Sequence, residues 1–237
     1  MNLPRVTRGP LLLLAAFAMA APASAPAVEN ERLHYNINWP SGLSLGEAQL
    51  SASSSKSGED PSPRLHFSFD IDAGIPGFVV ADRYRSQAVD DFCSTEFQRT
   101  TKHGAKSIDE KLIFDAHEGK VTRKTVGGGT TEMPASSCAR DALTFLYYVR
   151  HELSQGRIPP RQTIFFGPQY EVRLEFAGTQ TIRIGDKSME ADRMTASVSG
   201  PVASIGFEIF FLKDRARTPA LVRVPLSLGT FSMELAQ

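Results

Sequence analysis

The sequence predicts a mainly β domain: an antiparallel up-and-down barrel or sandwich, closed or incompletely closed, with one amphipathic helix packed on it. The first indication is that apolar and polar residues alternate over many short segments, which is typical of strands with one buried face. The second is that turn-forming residues separate these segments, as in antiparallel all-β folds. The third is a single segment whose apolar residues have helical spacing.

The alternating segments number about a dozen, as expected for a sandwich or barrel. They span residues 33–39, 48–52, 65–71, 112–116, 121–126, 164–166, 170–176, 181–184, 189–198, 205–211, 221–224 and 231–235. Glycines at 127–129 and 185 mark turns between them. The Ser-rich stretch 51–63 is expected to form an exposed, flexible hairpin loop.

Three runs of consecutive apolar residues depart from the alternation. They are residues 75–80, 164–166 and 209–212. A strand or turn that is apolar on both faces is expected to be covered on both sides.

The helical segment lies between residues 139 and 155, and its apolar residues recur every three or four positions: Ala142, Phe145, Leu146, Val149 and Leu153. Ser136 or Ser137 is expected to cap its start, with Asp141 in the first turn. The two prolines at 159–160 prevent its continuation. We expect this helix to lay its apolar side over one opening or face of the sheet.

The first 27 residues are typical of a secretory signal peptide. Arg5 and Arg8 give a basic start, residues 11–21 are apolar, and residues 22–27 are small. As a helix, the apolar run spans about 16 Å, roughly half of the hydrocarbon core of a bilayer, so a membrane anchor is not favoured.

Cleavage after Ala23, Ala25 or Ala27 fits the small-residue rule. Cleavage after Ala27 divides the chain into a signal peptide, residues 1–27, and a single β-rich domain, residues 28–237. We therefore expect a protein that is exported to the bacterial periplasm or secreted.

Composition excludes several classes of protein. The 26 Lys and Arg residues balance 26 Asp and Glu residues, whereas a nucleic-acid-binding protein is expected to carry a basic excess. A hydrophobic fraction of 41% is too high for a disordered chain. After the signal peptide, no apolar run approaches the roughly 18 residues of a membrane-spanning helix.

Cys93 and Cys138 are the two cysteines of the chain. In the oxidising compartment that the signal peptide implies, a structural disulfide is the simplest interpretation. A redox couple would usually have the spacing Cys-x-x-Cys, and a zinc site would need further ligands nearby.

Two patterns resemble catalytic motifs but lack the structural surroundings that those motifs require. Residues 42–46 spell G-x-S-x-G around Ser44, but the residues that follow alternate as a strand, where a nucleophile elbow requires a helix. Asp70 and Asp72 share one strand face and could serve as paired acids, yet a solvated face explains them equally well. The five histidines lack the spacing of a metal site, and no cofactor is expected.

Several short segments together resemble a known family. They are the strand 33–39, the glycine-led strand 46–50, the helix 141–150, and the group Asp214, Arg217, Pro219 and Gly229. The mature chain resembles, over nearly its whole length, the exported bacterial proteins grouped as domain of unknown function 3108. The resemblance implies a secreted or periplasmic, β-rich protein without an assigned activity, so it supplies no catalytic residues.

The segment 214–219 is predicted to be a turn between two strands. Asp214 and Arg217 can hydrogen-bond across it, and Pro219 fixes its exit. The functional alternative is an anion site, in which Arg215 and Arg217 bind a charged head group.

These observations favour a non-enzymatic binding module that holds an apolar or lipid-like ligand under the helix. Phenylalanine outnumbers tyrosine by 15 to 5, so much of the interior is expected to be apolar. The first alternative is a structural or protein-interaction component of the cell envelope with a solid core. The second is a hydrolase that uses Ser44 or the pair Asp70 and Asp72.

Overall fold

The structure is a computed structural model that describes residues 30–57, 60–202, 204–227 and 229–236. The predicted signal peptide, residues 1–27, lies outside these ranges. The described chain forms fifteen β-strands and one α-helix, which confirms the prediction of a mainly β fold with a single helix.

The elements follow one another along the chain with short connections. The strands are β1 (Glu31–Asn38), β2 (Ser44–Ser57), β3 (Asp60–Ile75), β4 (Phe78–Val89), β5 (Cys93–His103), β6 (Lys106–Asp115), β7 (Lys120–Thr125), β8 (Thr130–Pro134), β9 (Arg140–Asp141), β10 (Gln162–Phe165), β11 (Gln169–Ile184), β12 (Lys187–Ser199), β13 (Ser204–Leu212), β14 (Pro219–Leu226) and β15 (Gly229–Leu235). The helix α1 (Ala142–Ser154) lies between β9 and β10, and a 3₁₀ turn at Asp90–Phe92 joins β4 to β5.

All fifteen strands belong to one sheet, in the order β8-β7-β6-β5-β4-β3-β2-β1-β15-β14-β13-β12-β11-β10-β9. Antiparallel pairing of β1 with β15 joins the first and last strands. Within the described chain, only β9 and β10 pair in parallel. Because β8 and β9 remain edges, main-chain hydrogen bonds do not close the sheet into a barrel.

The sheet instead rolls past itself, so that β10 is covered on both faces. Ile164 packs toward the interior, in a cluster with residues of α1 and β13. Phe165 points to the opposite face and is only 1% exposed, because the ring of Phe114 on β6 lies 5.6 Å away. The two overlapping parts of the sheet are also joined by Gln169, whose Nε2 donates to the carbonyl oxygen of Pro134 at 2.6 Å.

The three apolar runs differ in how far they are buried. Residues 164–165 are buried on both faces, as predicted, and Phe210 and Phe211 are both fully buried. The prediction is wrong for residues 75–80, because Ile75, Phe78 and Val79 are exposed at a hairpin tip.

A buried ion triad holds the overlapping layers together. The Glu110 carboxylate is fully buried between Arg99, at 2.8 Å, and Arg123, at 2.6 Å. The β10–β11 connection packs on this triad, since the Arg99 guanidinium lies 4.9 Å from the centre of the Phe166 ring. Gly167 approaches so closely that a Cβ atom there would lie 2.4 Å from Glu110 Oε1. The close approach and the backbone φ of +77° both favour glycine at this contact.

Helix α1 is capped by Asp141, so the prediction that Ser136 or Ser137 caps it is wrong. One carboxylate oxygen of Asp141 accepts hydrogen bonds from the backbone N–H groups of Leu143 and Thr144, at 2.8 and 3.1 Å. The other accepts from three hydroxyl groups: Ser86 at 2.5 Å, Ser94 at 2.7 Å and Thr144 at 2.9 Å. Burial raises the pKa of Asp141, and these hydrogen bonds act in the opposite direction. The cap therefore joins α1 to β4 and β5.

The structure joins Cys93 and Cys138 in a disulfide, with their Cα atoms 4.7 Å apart. Next to it, the N–H of Ser94 donates to the carbonyl oxygen of Ala139 at 2.9 Å. The disulfide thus fixes the chain that leads into α1 to the first residue of β5.

The serine-rich hairpin is longer and more regular than predicted. Residues 51–55 belong to β2 and pair with residues 64–68 of β3. The prediction of a loop over residues 51–63 is therefore wrong, because both strands extend into this stretch. Residues 58–59 lie outside the described residues. Hydroxyl side chains that face solvent stay hydrated, so a serine-rich segment can still pair as a β-strand.

Neighbouring antiparallel strands run in opposite directions, so their connections lie alternately at two ends of the rolled sheet. At the first, which we call the helix end, α1 packs against the 3₁₀ turn, and Arg150 Nε donates to the Ala216 carbonyl oxygen at 3.0 Å. The second, which we call the far end, carries the turns 39–43, 76–77 and 200–202.

Substitution of Gly167 by alanine tests the closing contact. We expect Gly167→Ala to lower the free energy of unfolding by about 3 kcal/mol, because the new Cβ collides with a buried carboxylate at a backbone φ of +77°. Gly127→Ala is the matched control, since Gly127 has a similar φ of +69° but no atom within 4 Å of a new Cβ. The control should cost only about 1 kcal/mol in urea unfolding. Equal losses would contradict a close contact at Gly167.

Substitution of Asp141 tests the cap. We expect Asp141→Ala to lower the free energy of unfolding by about 3 kcal/mol, because it leaves two helix N–H groups and several buried hydroxyls without an acceptor. Asp141→Asn keeps one acceptor oxygen and should cost less. Urea unfolding of both variants measures the difference, and a loss below about 1 kcal/mol for the alanine variant would exclude the proposed role.

Candidate apolar binding site

A cavity of about 330 Å³ lies beneath α1, inside the rolled sheet. Leu143, Leu146 and Val149 of α1 form its roof, and strands from both halves of the sheet form its walls. The cavity therefore occupies the position at which the sequence predicted an apolar ligand site.

The walls of the cavity are apolar. Apart from two tyrosines, its lining side chains are all aliphatic, phenylalanine, methionine or proline. The Tyr35 hydroxyl donates to the Pro219 carbonyl oxygen at 2.8 Å, and the Tyr84 hydroxyl donates to Asp82 Oδ2 at 3.0 Å. Burial raises the pKa of Tyr84, and the Asp82 carboxylate raises it further, so this hydroxyl stays neutral and donating. Both hydroxyls are hydrogen-bonded to protein acceptors, so each tyrosine contributes mainly its ring carbons to the cavity lining.

The exposure of inward-facing side chains increases from the helix end to the far end. On β13, Phe211 is fully buried at the helix end, whereas Ile209 and Phe207 are half-buried. On β3, Phe67 is 2% exposed and Ile71 is half-buried. In the described chain, the interior is therefore closed to solvent at the helix end and accessible toward the far end.

Polar contacts hold the helix end shut. Arg150 of α1 forms a two-pronged ion pair with Glu31 at the start of β1, with one N···O distance of 2.9 Å. Its guanidinium lies 4.7 Å from the ring centre of Tyr147, which in turn stacks on Phe67 at 4.1 Å. The Tyr147 hydroxyl is buried near the Glu31 carboxylate, and burial, together with that negative charge, raises its pKa. These contacts make α1 a fixed roof at this end.

The cavity suits an apolar occupant better than water. Its volume lies at the lower end of the range for small-molecule sites, about 300–1,000 Å³. A buried water needs about two to four polar partners, and these walls offer almost none. A hydrocarbon group would instead cover apolar surface, at roughly 25 cal/mol for each Å² removed from water.

The predicted turn at Asp214 and Arg217 is present, with different side-chain partners. The Arg217 N–H donates to the Asp214 carbonyl oxygen at 3.3 Å. The Asp214 carboxylate accepts from the N–H and hydroxyl of Thr218, and Arg217 pairs with Asp192 at 2.8 Å. An anion at this turn would therefore have to compete with Asp192 for Arg217.

The candidate catalytic residues lie outside the cavity. Ser44 is an exposed first residue of β2, with a strand on either side of its turn and no hydrogen bond to a histidine in the described chain. Asp70 pairs with Arg85, and both carboxylate oxygens of Asp72 accept from Arg83 Nη2, at 2.7 and 2.8 Å. The two carboxylates thus belong to ion pairs across β3 and β4.

The described residues contain neither a metal-binding cluster nor a membrane-spanning helix. No group of three or more His, Cys, Asp or Glu side chains is arranged there to hold a metal ion. No helix in the described ranges has the length and apolar character needed to cross a membrane.

The family described as a protein of unknown function, DUF3108, matches residues 32–236, so the chain belongs to the DUF3108 family and the predicted resemblance is confirmed. A crystal structure titled as a β-barrel-like protein of domain of unknown function DUF1849 from Brucella abortus is similar, with a TM-score of 0.57 and 11% identity. The match covers 88% of this chain and 96% of that chain, and it concerns the fold alone. None of the curated proteins matches the sequence.

A cavity-filling substitution tests whether the space is empty. We expect Val222→Phe to change the free energy of unfolding by less than about 1 kcal/mol, because the half-buried Val222 side chain borders the cavity. Val121→Phe is the control, since Val121 is fully buried and lies outside the cavity, and it should cost about 2 kcal/mol or more in urea unfolding. Equally large losses would mean that Val222 faces a packed core.

Proposed function

We propose that this protein is a non-enzymatic binding module that holds an apolar or lipid-like ligand in the cavity beneath α1. The observation that carries the proposal is the set of inward-facing apolar side chains left half-buried around this space, among them Phe69, Ile71, Phe207 and Ile209. Apolar side chains in a filled interior would be shielded by their neighbours. A hydrocarbon ligand would provide that cover.

The wall chemistry supports hydrocarbon rather than a polar metabolite as the bound group. No lining side chain is charged, and the hydroxyls of Tyr35 and Tyr84 already have acceptors. A polar ligand group would lose its hydrogen bonds to water without replacement, at a cost of about 1–3 kcal/mol for each group. The alternative of a structural component with a solid core receives less support, because the interior under α1 contains space.

We also propose that the protein acts after export, in the periplasm or outside the cell. The basic, apolar and small-residue segments of residues 1–27 support export. The bond between Cys93 and Cys138 fits an oxidising compartment.

Binding of dansylaminoundecanoic acid, a fluorescent fatty-acid probe, tests the proposed function. The protein is purified after export from a bacterial host, stripped of lipid, and checked for its N-terminus by mass spectrometry. Trp39 is the single tryptophan of the chain and follows directly after β1, so energy transfer from it to the dansyl group reports binding. We expect saturable energy transfer that unlabelled fatty acid abolishes.

Matched variants locate the binding site. Val222→Phe should weaken probe affinity by about tenfold or more, because its ring occupies part of the cavity. Val89→Phe introduces the same ring at an exposed position of the helix end and should leave affinity unchanged. The proposal is wrong if folded, lipid-free protein does not bind the probe, or if both variants bind it as the unsubstituted protein does.

A further inference from the structure

The far end carries exposed apolar side chains on consecutive hairpins. Leu43 lies in the β1–β2 turn and is 67% exposed, Val79 beside the β3–β4 turn is 57% exposed, Val202 after β12 is 74% exposed, and Leu226 at the end of β14 is 50% exposed. We call these four residues the apolar rim. Large exposed aliphatic groups clustered in this way usually mark an interaction site.

The rim is continuous because its hairpins are neighbours in the sheet. The order β4-β3-β2-β1-β15-β14-β13-β12 contains the four hairpins side by side without an interruption. The exposed Ile75 and Phe78 extend it at the β3–β4 tip. One side of the far end thus carries exposed apolar side chains on four neighbouring hairpins.

The rim also adjoins the accessible part of the interior. Ile71, Phe207 and Val222, which line the cavity, belong to the same three hairpins as the rim residues Val79, Val202 and Leu226. At the opposite end, α1, its ion pair with Glu31 and the disulfide hold the structure shut. A ligand that enters the cavity from the far end would therefore pass the rim.

We propose that the apolar rim docks on the surface of a lipid bilayer, so that the far end faces the membrane. This inference rests on the proposed function, because docking would give the protein access to a hydrocarbon ligand that resides in membranes rather than in water. Separate apolar tips at one end can each enter the interfacial region of a bilayer, whereas a protein partner would have to fit every gap between them.

Charge beside the rim supports a lipid surface that contains anionic head groups. Lys102 and Lys106 flank the β5–β6 turn and are exposed. This turn lies against the β3–β4 tip, since a Cβ built on Gly104 would be 3.1 Å from the Phe78 ring. Lysines next to inserted apolar groups favour anionic lipid by about 1 kcal/mol each.

Flotation with vesicles of phosphatidylethanolamine and phosphatidylglycerol tests the proposal. The rim variant combines Leu43→Ser, Val202→Ser and Leu226→Ser. The control variant removes three exposed apolar side chains away from the rim: Ile158→Ser, Phe176→Ser and Met189→Ser. We expect the unsubstituted and control proteins to float with the vesicles, and the bound fraction of the rim variant to fall about tenfold or more.

A second measurement reports the orientation of the docked protein. Trp39 lies at the far end, 4.9 Å from the Phe231 ring. Vesicles that contain brominated phospholipid should quench its fluorescence in the unsubstituted and control proteins but not in the rim variant. Docking is overturned if the unsubstituted protein does not float, or if the rim variant floats and is quenched to the same extent.

Probe binding without vesicles separates this proposal from the proposed function. The rim variant should bind dansylaminoundecanoic acid as well as the unsubstituted protein does, because its substitutions lie outside the cavity. Probe binding without flotation would overturn docking alone. Flotation without probe binding would overturn the proposed function and leave docking supported. Self-association of the unsubstituted protein through the rim, without flotation, would also overturn docking.

Discussion

The buried Asp141 carboxylate is the interaction on which the arrangement of helix and cavity depends. It accepts the first N–H groups of α1 and, through Ser86 and Ser94, hydroxyls from two strands. Burying a carboxylate costs free energy unless several hydrogen-bond donors surround it. The helix N–H groups and the two serine hydroxyls must therefore stay within hydrogen-bond distance of Asp141. The roof of the cavity is consequently fixed to β4 and β5 rather than held by apolar packing alone.

The width of the rolled sheet explains why a cavity remains beneath that roof. From β5 through β1 and β15 to β9, twelve strands surround the interior. A single main-chain hydrogen bond, from Ser94 to Ala139, brings β5 close to the start of β9, but these two strands do not pair in a ladder. Side chains fill a barrel of about eight strands, and wider barrels enclose space. Helix α1 fills part of the extra volume at one end. The remaining strands, β6–β8, then cover β9–β11 from outside and protect the open edge.

The sequence predicted those features that depend on neighbouring residues. Period-two alternation identified most of the strands, and the spacing of Phe145, Leu146 and Val149 identified α1 to within a few residues. The N-cap was assigned to the wrong residue, because Asp141 is stabilised by serines about fifty residues away in the chain. The Glu110 triad was missed for the same reason, although a carboxylate in the apolar phase of a strand that continues with Leu112 and Phe114 was a detectable signal.

The sequence predicted where an apolar ligand would lie, but local pattern predicted neither that a cavity is present nor the apolar rim, since alternation indicates which face is inward but not whether the enclosed volume is filled. Residues 75–80 illustrate the difference: the same apolar composition is covered on both faces in β10 and exposed at the far end. What distinguishes them is the position of each segment in the rolled sheet. Strand β6 covers β10, whereas the β3–β4 tip is contacted at Phe78 by the β5–β6 turn and still leaves Ile75, Phe78 and Val79 exposed. The two ends consequently differ in chemistry, one fixed by a capped helix, a disulfide and an ion pair, the other apolar and accessible. Under the proposed function, this asymmetry would give an apolar ligand one direction for exchange, through the far end.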